Sequence, residues 1–197
     1  MDDSRGTQLE VEVLDDTQRL TRGQLEWLTA RTHEACRRMG CGGSLRVRLI
    51  DDAAMIAAHG EYLDDPTTTD VLTFDMSEGI ASLGDVEGDS RQELPMEPPG
   101  TEAVREGFSS IWIGLDTDIL ACVDVAARQA SIRGYSVEKE LLLYIVHGVL
   151  HCLGHDDHDE AAAARMHATE DAVLTAIGVG AVYGGREVND SGADGRA

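Results

Sequence analysis

Four of the chain's seven histidines fall within residues 147–158, which read HGVLHCLGHDDH and interleave the histidines with Asp156 and Asp157. His147 and His151 are four residues apart on an apolar stretch that starts near Glu138 and includes Leu141, Leu142, Leu143, Ile145, Val146 and Leu150. In a helix this spacing puts both imidazoles on one face, one turn apart, where two ring nitrogens can converge on an ion of the zinc type. Gly154, three residues after His151, can take the left-handed conformation that ends the helix and turns the HDDH segment back toward the same ion. Two histidines at helical spacing alone would also fit a water-exposed helix end. The glycine stop and the His/Asp cluster behind it favour a site for one Zn²⁺ per chain.

Several side chains have the chemistry of a third ligand. Zinc sites of the form HxxxHxxGxx(H/D) place it six residues after the second histidine, which here is Asp157, and a carboxylate is an acceptable zinc ligand. His158 is the alternative third ligand, and His155 is a further candidate. Asp156 is expected to orient a neighbouring ligand rather than bind the ion. A zinc with three protein ligands keeps a fourth position for water, lowers that water's pKa toward about 7 and polarises a carbonyl or phosphoryl oxygen. The expected reaction is therefore a hydrolysis with zinc-bound water as nucleophile, and no catalytic residue is assigned beyond the metal site. Metallopeptidases of the HExxH type use the glutamate as general base. Gly148 stands in that place here, which turns the expectation away from peptide bonds.

The elements that must position these residues are legible in outline. Residues 8–14 (QLEVEVL) and 44–50 (SLRVRLI) alternate apolar and polar as half-buried strands do, and 21–39 carries a helical apolar face. Asp51 and Asp52 offer N-caps for a helix to about His59, and TDVLTF at 69–74 reads as a third strand. The runs SIWIGL at 110–115 and ILACV at 119–123 are each strand-like, and periodicity does not choose between them. Asp124 can cap a helix to about Arg133, Gly134 can end it, and helices then fit 137–153 and 159–177. Residues 1–7 and 179–197 are expected to be disordered, and 76–117 to form a long acidic loop or insertion within a domain spanning 8–178. The result is an α+β fold: one small mixed β-sheet packed with about five helices, with the metal site at the end of a central helix.

Composition sets limits on partners. A chain of 197 residues has room for one domain with a substantial core. Its 37 acidic residues against 16 basic ones give a formal net charge of -21, and Lys139 is the only lysine. Such a field repels a polyanion. If RNA is the substrate, a local arginine cluster or a partner must bring it in. Arg46 and Arg48, on one face of the second strand, could form such a patch or merely blunt an edge; Arg22, Arg31, Arg37 and Arg38, on or beside the first helix, carry the same ambiguity. The four scattered cysteines read as small buried hydrophobes. No run of about 18 apolar residues could span a bilayer, and the acidic N-terminus has no secretory core, so no membrane partner and a cytoplasmic location are expected.

Three segments resemble the YbeY family of zinc-dependent endoribonucleases and rRNA maturation factors. Residues 147–157, HGVLHCLGHDD, are similar to its signature HGxLHLxGYDH, with Asp157 where the family usually has a third histidine. PTTTDVLTFD at 66–75 is similar to PTDVLSFP, and DILACVDVAARQA at 118–130 to GDIVISLDVAREQA, which favours 119–123 as the sheet strand. The resemblance implies a single-strand-specific endoribonuclease acting at the small-subunit rRNA 3′ end and in ribosome quality control. Its implied partners are an rRNA precursor and the ribosomal small subunit or its assembly factors. Two positions depart from the pattern. Leu63 stands where the family commonly has a phosphate-holding arginine, and Thr117 where a glycine precedes the acid of the strand. Leu63 also gives weight to an alternative, a zinc-stabilised ribosome-assembly factor that binds without hydrolysis; a metallopeptidase is the third reading.

Overall fold

The computed structural model describes residues 8–77 and 113–183. Four strands and five helices follow one another as β1 (Leu9–Asp15), α1 (Arg22–Arg38), β2 (Cys41–Ile50), α2 (Asp52–Leu63), β3 (Val71–Asp75), β4 (Ile113–Cys122), α3 (Val123–Arg133), α4 (Val137–Cys152) and α5 (Glu160–Ala176). The strands form one mixed sheet in the order β1-β2-β4-β3, parallel except for the antiparallel β3–β4 pair. The α+β class and the single mixed sheet are those the sequence implies.

Local chemistry accounts for most boundaries. Thr21 and Gln24 form a reciprocal capping box at the start of α1, and the Asp51 carboxylate accepts the Ala54 N–H at 2.9 Å to open α2. Asp159 caps α5 in the same way. Asp124 does not cap α3. The cap position is Cys122, and the Asp124 carboxylate instead accepts the Asp52 N–H and pairs with Arg19.

β4 corrects the expected loop boundary. Residues 113–117 are strand, and the two apolar runs belong to one continuous element rather than competing for it. Alternation explains why. Leu115, Thr117, Ile119 and Ala121 are buried, while Asp116 and Asp118 point to the other face, where both accept from Arg46 of β2. The remaining expected loop residues, 78–112, lie outside those described, as do 1–7 and 184–197 of the expected disordered ends. Residues 179–183 follow α5 onto the protein body: Val179 and Val182 pack against the core, and Asp171 accepts the Val182 N–H at 2.6 Å.

Leu45, Val47 and Leu49 of β2 and Leu115, Ile119 and Ala121 of β4 build the main core with α1, α4 and α5. A smaller cluster of Ile50, Met55, Leu72 and Cys122 lies under α2. Helix α4 is apolar nearly all round, as a helix enclosed by protein must be. Leu141, Leu142, Ile145 and Leu150 are fully buried on it, each contributing about 1.5–3 kcal/mol. Cys36, Cys41 and Cys122 are buried and Cys152 half-buried, all as free thiols. No helix among the described residues is long and apolar enough to cross a membrane.

All but Arg37 of the arginines suggested as a positive patch have partners elsewhere in the fold. By strand alternation Arg46 and Arg48 occupy the sheet face opposite α4, with Arg46 on Asp116 and Asp118 and Arg48 on Asp16. Arg22 pairs with Glu26 and Arg31 with Glu34, and Arg38 donates to the Ala176 carbonyl at 3.4 Å.

Candidate metal centre

The buried length of α4 fixes the height of the two histidines, and Gly148 fixes its distance from the sheet. A Cβ at residue 148 would lie 2.5 Å from Thr73 Oγ1 and 3.0 Å from Ile119 Cδ1, so only glycine lets α4 approach β3 and β4 this closely. A glutamate there would be driven into the sheet. At the other end of the segment Gly154, with φ of 87°, ends the helix. Its N–H bonds the His151 carbonyl and the His155 N–H bonds the Leu150 carbonyl, both at 3.0 Å, the paired arrangement of a Schellman stop.

The turn brings Asp157 back over the histidines. His147 Nε2 and His151 Nε2 are 3.0 Å apart, and Asp157 carboxylate oxygens lie 3.7 Å from the first and 3.9 Å from the second. These three side chains form a group with ligand atoms all within 4.8 Å of one another. His158 does not join it: its side chain is 85% exposed and its ring sits on the Asp156 carboxylate. Asp156 also accepts the backbone N–H of Asp157 at 2.7 Å, which steadies the turn that carries the carboxylate. His155 contributes its carbonyl, which accepts from His151 Nδ1 at 3.1 Å. Burial, with the neighbouring His151, pushes the His155 ring pKa down.

A residue the sequence reading missed completes the arrangement. Glu170 of α5 is fully buried, and its Oε1 is 2.7 Å from His147 Nδ1. Burial opposes charging His147, but the Glu170 hydrogen bond and charge, with Asp70 and Asp157, outweigh it and raise its pKa. The available signal was a helical one. Glu170 sits four residues from both Met166 and Leu174, so it is an acid on the buried stripe of α5.

This donor set fits a zinc ion. Each histidine has its Nδ1–H engaged, His147 by Glu170 and His151 by the His155 carbonyl, which leaves the lone pair on Nε2 of both rings. Two ring nitrogens face each other at 3.0 Å with a carboxylate beside them, a contact made favourable by a proton shared between the rings or by a cation held among the three groups. Two nitrogens and one oxygen are ordinary zinc ligands, and tetrahedral bonds of about 2.0–2.1 Å need neighbouring donors roughly 3.3 Å apart. The second oxygen of Glu170 is buried without a hydrogen-bond partner among the described residues, so the negative charge behind His147 is not otherwise met.

The site opens into a cleft of about 570 Å³, whose walls include His147, Asp157, Asp70, Arg128, Arg133 and Tyr144. Leu63, at the last position of α2, is 62% exposed and brings no donor.

The sequence model of the family described as Endoribonuclease YbeY matches residues 7–178. Proteins named Endoribonuclease YbeY are similar to this chain at comparable levels. That of Acidothermus cellulolyticus is 36% identical over 132 residues, covering 67% of this chain and 69% of the relative. That of Micrococcus luteus is 31% identical over 131 residues, covering 66% and 68%. A Mycobacterium tuberculosis relative is 35% identical over 130 residues, covering 66% and 62%.

Proposed function

Because the chain belongs to the YbeY endoribonuclease family, we propose that it is a zinc-dependent, single-strand-specific endoribonuclease. In this reading it acts in the cytoplasm on an rRNA precursor, in maturation of the small-subunit 3′ end and in ribosome quality control. Its partners are the small subunit or the factors that assemble it. One observation carries the metal: two imidazole Nε2 atoms at 3.0 Å, each with its Nδ1 side occupied and a carboxylate at hand. His147, His151 and Asp157 would hold the ion.

When bound, zinc supplies Lewis acidity toward a phosphoryl oxygen and lowers the pKa of a coordinated water toward about 7. The chain's own groups do the rest. Glu170 fixes the tautomer and angle of the His147 ring and raises its basicity as a ligand, while the His155 carbonyl fixes the tautomer and angle of the His151 ring. Asp157 contributes a negative charge that a third histidine would not. Gly148 leaves no room for the general base of a peptidase, which supports phosphodiester over peptide hydrolysis.

The test is cleavage of a single-stranded RNA by the zinc-loaded protein. Asp157→Ala is expected to lose both zinc and cleavage, and His158→Ala to keep both. RNA bound but left uncut by the zinc-loaded wild type would favour the assembly-factor reading, and casein cleavage would favour the peptidase.

A further inference from the structure

A chain carrying a net charge of -21 must meet a polyanion through a local positive group, and most arginines of the described fold are turned away from the cleft or spent on acids. Two line the cleft beside His147 and Asp157: Arg133 and Arg128. Arg133 is committed. It donates to both oxygens of the fully buried Glu140 at 3.0 and 3.3 Å and to the Tyr135 hydroxyl at 3.1 Å, and its guanidinium lies over the Tyr183 ring. Drawing it toward a ligand would leave a buried carboxylate uncompensated, which is costly.

Arg128 is differently placed. Its side chain is 52% exposed, and it grips Asp52 with NH1 and NH2 at 2.6 and 3.0 Å. Asp52 is itself fixed by the Thr68 hydroxyl at 2.9 Å, so the guanidinium is held in one orientation rather than left to sweep through solvent. A guanidinium carries five N–H donors. The grip on Asp52 uses one from each terminal nitrogen, and the remaining donors have no partner among the described residues. The cleft therefore holds His147 and Asp157 of the metal-ligand group together with preoriented Arg128 donors that meet no acceptor among the described residues.

We infer that Arg128, positioned by Asp52, holds a backbone phosphate of the single-stranded RNA lying in this cleft. The inference rests on the ribonuclease reading above. Arg128 is a binding and positioning residue and takes no part in bond cleavage. A pre-set guanidinium on a side chain from α3 holds the phosphate in the cleft that His147 and Asp157 also line, without requiring any basic surface elsewhere on the acidic protein.

The experiment compares full-length zinc-loaded wild type, Arg128→Ala, Arg128→Lys and the distant control Arg22→Ala in RNA cleavage at several salt concentrations. Zinc content and melting temperature are recorded for each. For Arg128→Ala we expect KM to rise about tenfold with kcat changed by less than about twofold, the size of one charge-assisted contact. The slope of log affinity against log salt should flatten by about 0.7, the loss of one phosphate contact on a single strand. Arg128→Lys should restore the slope, and Arg22→Ala should match wild type. Cleavage by Arg128→Ala with wild-type KM and salt slope would overturn this inference and leave the ribonuclease reading standing. An Arg128→Ala protein that loses zinc or kcat instead of KM would also overturn it, by showing a structural role. Wild type that neither binds nor cuts RNA would overturn the ribonuclease reading itself.

Discussion

Replacing His151 with alanine is expected to leave a folded protein that retains no zinc and keeps only residual cleavage of single-stranded RNA. His151 is half-buried on the last turn of α4, so the substitution removes a ring from the edge of the cleft and leaves the apolar body of the helix in place. The helix stop remains, because Gly154 and His155 satisfy the last carbonyls through backbone bonds. What disappears is one of two nitrogen donors, and with it the only pair of facing lone pairs in the group. Metal assistance to phosphoryl transfer is worth several kcal/mol, so cleavage should fall by on the order of 10³-fold. Zinc at 100 times its dissociation constant adds about 2.7 kcal/mol to the wild-type fold, or roughly 5–10 °C in melting temperature for a chain of this size. The variant should melt at one temperature with or without zinc, in a scan that also verifies its folding. A zinc-dependent rise in the variant equal to that of wild type would mean the ion sits elsewhere.

The Glu170→Gln variant is expected to bind zinc about 10–100-fold more weakly, the usual cost of losing a group that orients a ligating histidine. The amide can still accept the His147 Nδ1–H, so ring position is largely kept. The loss is the negative charge, which strengthens His147 as a donor to a cation. In the metal-free protein the same change removes the charge that raises the His147 pKa and sets an amide NH2 where a buried oxygen has no partner among the described residues, so the melting temperature without zinc should fall modestly. Zinc affinity, read apart from stability, separates a role toward the ion from a role in packing. Competition with a chelator of known affinity measures the first and a melting scan the second. Unchanged zinc affinity, with a lower melting temperature, would reduce Glu170 to a structural acid.

What the sequence made visible was local. The i, i+4 spacing of His147 and His151 on an apolar helix, the glycine that stops it and the Asp51 cap of α2 each follow from short-range rules, and each stands where those rules place it. β4 was harder, because Asp116-Thr117-Asp118 reads as a polar break between two apolar runs. The break vanishes once the strand pairs with β2: the two acids meet Arg46 on one face, and Thr117 turns inward on the other. That outcome depends on register, which no window of this length contains. The same holds for Arg46 and Arg48, whose spacing puts them on one strand face without saying which face looks toward α4.

Glu170 shows a different limit. It is nineteen positions beyond His151 in the chain and touches His147 only because α5 packs against α4. Its stripe position on α5 marks it as a buried acid, yet the identity of its partner is tertiary information. Gly148 lies between these cases. Its lack of a carboxylate could be read as chemistry from the sequence, whereas the reason for the glycine is the 2.5 Å approach to Thr73.

Dependence of RNA cleavage on one ion held by His147, His151 and Asp157 is decided by a metal titration. Protein stripped by a chelator and titrated with zinc should be inactive at the start. Cleavage of single-stranded RNA should then rise linearly and reach its plateau at one zinc per chain. Full cleavage by the stripped protein, or none at any zinc concentration with RNA still bound, would contradict it.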